Sequence, residues 1–280
     1  MKIYKVINNN MVSIRNNQGQ EMMFKGLSIG FKKKPGDDVD ETKIEMRFVL
    51  ENSTLTRRFN EMIVNVDQQV IDICMDAITM IKGRSKIKLR DSIYVTLIDH
   101  VSNLIDRLNA NITFDNSILW NISRIYPAEY ELAKQTVDML REKLPYKIDA
   151  DEANFIALHI VNAEVASDMN TTYKLTNAIN DICDIVSSDL HTEREEDNYD
   201  YNRFVMHVRF MLENSGNETP LSNSVDSKTL DTLISNYPAA WESVKKISAF
   251  IAVFLNRQLS KKEQLYLMIH LTQLYDRYSS

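Results

Sequence analysis

One stretch of sequence occurs twice in the chain, and this repeat limits the possible folds more strongly than any other feature. Residues 126–160 align with residues 237–271 at a constant offset of 111 without a gap, and 8 of the positions are identical. An aromatic exchange, Phe155 for Tyr266, keeps the same register. Self-similarity at a fixed offset indicates a duplicated structural unit, so a fold proposed for one copy must also suit the other.

Histidine is the most notable polar residue in the duplication. His159 and His270 occupy equivalent positions in the two copies, and His100 and His207 match in a second pair of segments at an offset of 107. The fifth histidine, His191, has no counterpart and lies in a charged run that predicts a solvated loop. A single histidine on an apolar helix is more often a core residue, but repetition at the same position argues for a function.

Both repeated histidines follow a predicted helix start. Asp149 precedes Glu152 by three residues, and Ser260 precedes Glu263 by three. This spacing is typical of a capping box, in which the two side chains satisfy the first free N–H groups of a helix. In each copy the histidine lies ten residues after the cap. We therefore expect it late in an apolar helix.

Composition indicates a protein of two or three domains that does not insert into a membrane. Of the 280 residues, 44% are hydrophobic and 26% charged, and no apolar run approaches the ~20 residues of a membrane span. The polar, Lys-containing start does not read as a signal peptide. Cys74 and Cys183 recur at an offset of 109, which favours small buried residues in a reducing cytoplasm over a disulfide.

The N-terminal segment, residues 1–58, differs in charge from the rest of the chain. It contains 11 Lys and Arg against 7 Asp and Glu, a balance of +4. The whole chain carries −6, so the remainder carries −10. A basic segment ahead of an acidic body predicts that a polyanionic partner binds the basic segment.

Sequence periodicity predicts a multidomain fold: a small antiparallel β-sheet domain at the N-terminus, followed by two duplicated all-α helical bundles. β-prone segments occur at 2–7, 11–15, 20–24 and 45–50, with a long loop before the last. From about residue 60 the period becomes helical, and helices are predicted at 64–81, 90–108, 116–124, 128–142 and 150–165, with a polar break at 168–172. The predicted domains are residues 1–58, 66–170 and 171–280. So small a sheet domain has a marginal core, which favours a dimer.

Residue spacing leaves three roles open for the histidines, namely metal ligand, catalytic base and phosphoacceptor. Within each copy the two histidines are far apart in the sequence, which is not local metal-ligand spacing. No Ser or Cys nucleophile repeats beside them, and no Gly-rich phosphate loop is present. A phosphoacceptor needs only an accessible ring nitrogen and a docking surface, so it fits best. No catalytic residue, metal or cofactor is predicted.

The segments KVINNN, DSIYVTLIDH and EANFIALHIVNAE carry a resemblance that extends over the whole chain. The sequence resembles the BglG/LicT/SacY family of bacterial transcriptional antiterminators, and most of all its LicT-type members. The N-terminal segment is similar to the family's co-antiterminator RNA-binding domain. The two helical copies are similar to its paired phosphotransferase-system (PTS) regulation domains.

The resemblance implies a homodimeric, cytoplasmic regulator that is not an enzyme. Its partner would be an RNA hairpin in a nascent leader transcript, and binding would prevent termination ahead of sugar-utilisation genes. A sugar permease would phosphorylate the first regulatory domain and inhibit, and the phosphocarrier HPr would phosphorylate the second and activate. By motif position the RNA contacts are Lys5, Asn10, Gly26 and Phe31. The phosphorylation sites are His100, His159, His207 and His270.

One loop departs from the family pattern, in which a basic residue and a glycine follow the first glycine. Here those positions hold Leu27 and Ser28. A lost cation removes an RNA contact, and the serine Cβ matters if the backbone has a positive φ. Lys25 and the Lys triplet at 32–34 are candidate replacements for the cation. The departure supports an alternative function, a phosphorylation-responsive interaction protein that has lost RNA binding.

Charges beside the histidines differ between the two copies. Arg203 and Arg209 flank His207, whereas Asp99 adjoins His100 and could orient its ring. We therefore expect a phosphate in the second copy to find a cation, and one in the first copy to meet negative charge. The sequence does not identify the inducing sugar, the target operon or the dominant histidine.

Overall fold

A computed structural model of the protein describes residues 1–50, 53–112, 121–165, 169–191, 198–213 and 227–278. These residues form two compact units. The first comprises Met1–Leu119 and Ala128–Met169, and the second comprises Trp120–Pro127 and Asn170–Ser280. The β-sheet of the described chain lies in the first unit, and the second is built from helices.

The first unit begins with a four-stranded antiparallel sheet in the order β1-β2-β3-β4. The strands are β1 (Ile3–Asn8), β2 (Met11–Arg15), β3 (Glu21–Lys25) and β4 (Met46–Phe48). All four predicted strands are present, although β4 is shorter than the predicted segment 45–50. The β2–β3 turn is fixed by the Asn16 side chain, whose Oδ1 accepts hydrogen bonds from the backbone N–H of Gln18 and Gln20.

One face of this sheet packs on the loop that follows β3. Its buried cluster consists of Ile3, Val12, Ile14, Phe24, Ile29 and Val39. Ile29 belongs to the loop and is fully buried, so the loop contributes to the core as the strands do. This packing fixes the backbone of the loop on either side of Ile29.

The other regular elements of the described residues are α-helices, apart from a short 3₁₀ helix at Glu41–Lys43. They are α1 (Ser53–Ile63), α2 (Gln68–Arg84), α3 (Ser92–Asn109), α4 (Ile122–Ile125), α5 (Pro127–Lys143), α6 (Glu152–Val165), α7 (Met169–Leu190), α8 (Tyr199–Glu213), α9 (Ser227–Asn236), α10 (Pro238–Phe254) and α11 (Lys261–Tyr278). The multidomain prediction of a small sheet followed by duplicated helical domains is confirmed. The exact domain boundaries 1–58, 66–170 and 171–280 stay predictions.

The sheet packs directly on the first helices. The Phe48 ring lies stacked on the Tyr94 ring with centroids 4.9 Å apart, and it meets the Phe59 ring edge-on at 5.6 Å. The ammonium of Lys25, at the end of β3, lies 3.1 Å from the carboxylate of Asp72 on α2. These contacts explain why the sheet belongs to the same unit as the first helices.

The polar break predicted at 168–172 is wrong for residues 169–172, because α7 begins at Met169; residue 168 lies outside the described residues. Tertiary burial outweighs the local polarity: Thr172 is buried, and its carbonyl accepts a hydrogen bond from the Thr176 hydroxyl at 2.9 Å. The helix predicted at 116–124 falls largely outside the described residues, and its described end is α4.

The segment around α4 packs within the second unit. Asn121 Nδ2 donates to Asn180 Oδ1 at 2.9 Å, and the hydroxyls of Tyr126 and Thr176 lie 3.4 Å apart. Both cysteines, Cys74 and Cys183, are buried and neither forms a disulfide, as predicted. Among the described residues, no helix combines the length and apolar character needed to span a membrane.

Candidate functional site

The turn between β1 and β2 is locked to the loop after β3 by three hydrogen bonds. The Asn10 carbonyl accepts from the Gly26 N–H at 3.0 Å, and Asn10 Oδ1 accepts from the Ser28 N–H at 2.8 Å. The Asn9 carbonyl accepts from the Gly30 N–H at 2.9 Å. Two of the four predicted RNA contacts, Asn10 and Gly26, are therefore brought together.

Two positions of this loop have special backbone requirements. A Cβ on Gly26 would lie 1.7 Å from the Lys43 carbonyl oxygen, so no larger residue fits there without movement. Ser28 has φ 56°, in the left-handed region that favours glycine, as the departure at this position suggested. This conformation costs a serine about 1 kcal/mol. The hydrogen bond from its N–H to Asn10 stabilises the same backbone geometry.

The hydrogen bonds of Asn9 and Asn10 to Gly26, Ser28 and Gly30 form a clamp, and the other two predicted contacts lie outside it. The Phe31 side chain is 51% exposed, and the Lys32 ammonium lies 5.3 Å from the centroid of its ring. Lys5 lies on β1, with its ammonium 3.8 Å from the Glu21 carboxylate. Phe31 is thus presented by the loop, and Lys5 is presented by the neighbouring strand.

Lys25 is not available to replace the cation that is absent at Leu27. Its residue exposure is only 8%, and its ammonium is held by Asp72. Leu27 itself is 69% exposed. In the Lys triplet, the Lys33 ammonium donates to the Asp38 carbonyl at 3.1 Å. Of the suggested substitutes, Lys32 beside Phe31 is better placed than Lys25.

The first histidine pair is brought together on α3 and α6. The rings of His100 and His159 have centroids 4.9 Å apart, although the two residues are distant in the sequence. His100 Nε2 lies 3.1 Å from Glu152 Oε2, and Arg107 donates to Glu152 Oε1 at 3.1 Å. Glu152 therefore holds the His100 ring, rather than Asp99 as its adjacent position suggested.

His159 lies on α6, and its ring faces the His100 ring. Its Nδ1 has no hydrogen-bond partner within the described part of the chain. Burial, together with the neighbouring His100 ring, lowers the pKa of His159 to about 3. The ring is therefore neutral at physiological pH.

The reciprocal capping box predicted at Asp149 and Glu152 does not form, although Asp149 Oδ1 accepts a hydrogen bond from the Asp151 N–H at 3.0 Å and so caps the helix start. The equivalent capping box at Ser260 and Glu263 is confirmed. Ser260 N–H donates to Glu263 Oε2 at 2.8 Å, and Glu263 N–H donates to Ser260 Oγ at 3.3 Å. In the first copy the Glu152 carboxylate instead contacts His100 and Arg107. The difference arises because His100 and Arg107 on α3 bind the Glu152 carboxylate, which leaves the cap of this helix to Asp149.

The second histidine pair lies on α8 and α11 within the second unit. The rings of His207 and His270 are stacked with centroids 4.0 Å apart, although they too are distant in the sequence. His270 is 4% exposed and its Nδ1 lacks a partner among the described residues, whereas His207 is exposed. Each unit thus brings two histidines that are far apart in the sequence into ring contact.

Burial and neighbouring cationic groups lower the pKa of both rings of the second pair. Burial, followed by the His207 ring and then Arg203, lowers the pKa of His270 to about 4, although Asp200 opposes the change. Burial and then Arg203 also lower the pKa of His207. The Arg203 guanidinium therefore acts on both rings.

Arg209, the second predicted cation, is engaged elsewhere. Its Nε donates to Glu213 at 2.9 Å, its Nη1 donates to the Ile125 carbonyl at 2.9 Å, and its guanidinium lies 4.4 Å from the Tyr126 ring centroid. This part of the prediction is wrong because Glu213 and the Ile125 carbonyl already bind the Arg209 guanidinium.

Sequence reasoning missed the contact of Glu152 and Arg107 with the histidine. Arg107 follows His100 by seven residues, which places both on the same face of α3, so this spacing was a usable signal. Glu152 carried a stronger local signal for a cap. Among the residues that the structure describes, no group of three or more His, Cys, Asp or Glu is arranged to hold a metal ion.

Comparison with known domains agrees with this architecture. Residues 1–57 match the family model of the CAT RNA binding domain. Residues 75–163 and 180–274 each match the family model of the PRD domain. The fold and the two histidine pairs thus define a protein with one RNA-binding domain and two PRD domains.

Two relatives align with this chain over nearly their whole length, and the chain belongs to the family of transcription antiterminators that they represent. It is 36% identical over 274 residues to "Transcription antiterminator LicT" of Bacillus subtilis (strain 168), covering 98% of this chain and 99% of that protein. It is 31% identical over 274 residues to the "Beta-glucoside operon antiterminator" of Dickeya chrysanthemi, covering 98% and 96%. The crystal structure of GlcT CAT-PRDI matches with a TM-score of 0.52 at 32% identity, covering 58% of this chain and 97% of that chain.

Proposed function

We propose that this protein binds an RNA hairpin in a nascent leader transcript and thereby prevents termination ahead of sugar-utilisation genes. The observation that carries the proposal is the set of hydrogen bonds between Asn9 and Asn10 and the loop at residues 26–30, within a segment that matches an RNA-binding domain. The relatives named as antiterminators support the same conclusion. The protein acts as a cytoplasmic regulator, not as an enzyme.

Exposed groups at the clamp supply the chemistry that RNA recognition needs. Phe31 offers a half-exposed aromatic face on which an unstacked base can lie, and Lys32 adds a cation beside it. Because Asn10 Oδ1 is occupied by the Ser28 N–H, its Nδ2 remains as the donor toward a base edge or a phosphate. Lys5 extends the positive surface along β1.

The direct test is a gel shift of the full-length protein against a library of RNA hairpins. Phe31→Ala should weaken binding by about 1–3 kcal/mol, the usual loss of one stacked base. The matched control is Phe210→Ala, which removes a similarly exposed phenylalanine from α8. Affinity should fall with rising salt because phosphate contacts release counterions. A protein that prefers no hairpin at any salt concentration would remove the proposal.

Regulation operates through phosphorylation of His100, His159, His207 and His270 by phosphotransferase-system proteins. HPr phosphorylates the second PRD domain and activates, whereas a sugar permease phosphorylates the first and inhibits. Two features support this role. The two histidine rings of each PRD domain are in contact, with centroids 4.9 and 4.0 Å apart, and the His207 side chain is exposed to a phosphate donor. A phosphate adds up to about two negative charges and three acceptor oxygens.

The active form is a homodimer whose stability responds to these phosphates. Arg203 offers a cation to a phosphate on His207 or His270, whereas in the first copy the Glu152 carboxylate occupies Arg107 and faces His100. His207→Asp should therefore tighten the dimer and raise terminator readthrough, and His100→Asp should lower both. Analytical ultracentrifugation and a readthrough assay measure these two effects, and the opposite signs would overturn the assignment.

The exposed Leu27 and the buried Lys25 favour one alternative, a phosphorylation-responsive interaction protein that no longer binds RNA. Leu27→Arg distinguishes the two functions. If the loop has only lost a phosphate contact, this change strengthens hairpin binding. If RNA binding itself is absent, the variant binds no better than the parent, while phosphorylation of the histidines continues.

A further inference from the structure

The equivalent glutamates of the two copies have different hydrogen-bond partners. Glu152 and Glu263 occupy equivalent positions in the repeat, at the offset of 111. The Glu152 carboxylate contacts His100 Nε2, and Arg107 holds its other oxygen. The Glu263 carboxylate is bound by Arg257 at 2.7 and 3.1 Å and by Ser260. Only the first copy thus couples this carboxylate to a histidine among the described residues.

The sequence explains this exchange of partners. The guanidinium that reaches Glu152 lies on the helix of the first histidine, whereas the one that reaches Glu263 precedes it by six residues. Tyr146 occupies the position in the first copy that corresponds to Arg257. The first copy therefore has no arginine at that position to form the ion pair that holds Glu263 at the start of its helix.

A carboxylate beside one ring nitrogen determines what the other nitrogen can do. A carboxylate only accepts hydrogen bonds, so a neutral His100 must carry its proton on Nε2 to donate to Glu152. Its Nδ1 then holds the free lone pair. Arg107 strengthens this arrangement because it fixes the carboxylate by a charge-assisted hydrogen bond.

We propose that Glu152 is a positioning residue that directs phosphorylation of His100 to Nδ1, and that the second PRD domain lacks this control. The inference rests on the proposed function, since it requires His100 to accept a phosphoryl group. The Nδ1 lone pair attacks the phosphorus of a phosphorylated side chain on the donor protein. The bond between this phosphorus and the donor atom breaks, and the donor side chain keeps the electron pair of the broken bond.

No proton has to move during this transfer. The His100 ring keeps its Nε2 proton, and the positive charge that develops on the ring faces the Glu152 carboxylate. The same contact that selects the nitrogen therefore also stabilises the phosphorylated ring. Within the described part of the second domain, Arg257 and Ser260 bind the Glu263 carboxylate in place of a histidine.

Two measurements on the full-length protein test the inference. Imidazole ¹⁵N NMR of the unphosphorylated protein should find His100 in the Nε2–H tautomer, and Glu152→Gln should give a mixture of tautomers. Glu263→Gln is the matched control, since it alters the equivalent glutamate and should leave the His100 signals unchanged. A His100 that carries its proton on Nδ1 in the parent protein would overturn the inference.

The second measurement uses phosphoenolpyruvate, enzyme I, HPr and permease-containing membrane vesicles as the phosphate donor system. The parent protein should give only the Nδ1 isomer at His100, and Glu152→Gln should give both isomers with transfer slowed about 10- to 100-fold, as for loss of a hydrogen bond to a charged group. Phosphate on Nε2 of His100 in the parent contradicts the positioning role. A tautomer as expected but no phosphate on His100 contradicts the proposed function instead.

Discussion

Replacing Gly26 by alanine tests how tightly the RNA-binding loop depends on a close backbone approach. An added Cβ would lie 1.7 Å from the Lys43 carbonyl oxygen, whereas real Cβ contacts essentially never fall below 3.0 Å. The loop and the segment around Lys43 must therefore separate by at least the difference between these two distances. Such a shift is too large for the adjoining hydrogen bonds to survive.

The cost follows from the contacts that this movement breaks. Forcing an extra carbon into a packed site costs about 1–3 kcal/mol. The bonds at risk are Gly26 N–H to the Asn10 carbonyl and Glu45 N–H to the Lys25 carbonyl, at 3.0 and 2.9 Å. Each contributes about 1 kcal/mol. We expect Gly26→Ala to raise the free energy of the closed loop by about 3 kcal/mol relative to the open loop.

Hydrogen exchange is the suitable assay, because a chain with several domains does not unfold in one step. The backbone amides of Ser28 and Gly30 should exchange more than about 100-fold faster in the variant. Gly83→Ala is the matched control in the same unit, since a Cβ there meets no atom within 4 Å. It should be neutral or stabilise α2 by about 0.5–1 kcal/mol.

The same variants report on RNA binding. Gly26→Ala should lose hairpin affinity because it moves Asn10 and Phe31 relative to each other, and Gly83→Ala should keep it. Unchanged exchange at Ser28 together with unchanged hairpin affinity in Gly26→Ala would refute the reasoning that this close approach builds the RNA-binding loop.

Three further predictions concern the stability of each unit. Lowering the pH from about 6.5 toward 4 should destabilise the second unit by up to about 3 kcal/mol, because unfolded His270 binds a proton that the folded ring, with its pKa of about 4, does not. Urea titrations at several pH values should show this dependence, and His270→Gln should reduce it. Phe48→Ala should lower the stability of the first unit by about 3 kcal/mol in urea unfolding, because it removes the buried ring between Tyr94 and Phe59, whereas the exposed Phe31→Ala should change it by less than about 0.5 kcal/mol. Ser260→Ala should speed amide exchange in the first turn of α11, since losing the cap costs about 1 kcal/mol.

Local pattern was sufficient to predict most elements of this fold. β2 has the predicted bounds, and the helices of the two copies follow from the period of their apolar residues. The duplication also indicated which residues form the site. Because the same two histidines recur in each copy, their proximity could be inferred although they lie on helices far apart in the sequence.

What could not be predicted depends on partners distant in the sequence. Glu152 and Glu263 carry the same local signal for a cap, and only the packing of α3 against α6 turns the first one to a histidine. From the sequence, Lys25 would be expected to be an exposed cation, but in the fold its ammonium is paired with Asp72. From the sequence, Thr172 belongs to a predicted polar break, but in the fold it is a buried residue of α7.

The placement of residues 120–127 in the second unit bears on how the protein can be divided. By sequence this segment falls inside the first PRD match, residues 75–163, yet Asn121 and Tyr126 contact Asn180 and Thr176, and the Ile125 carbonyl accepts from Arg209. A fragment that starts at residue 171 would lack all three of these partners. A regulatory domain excised at its sequence boundary is thus an incomplete piece of the folded one, and its behaviour in isolation would understate its native stability.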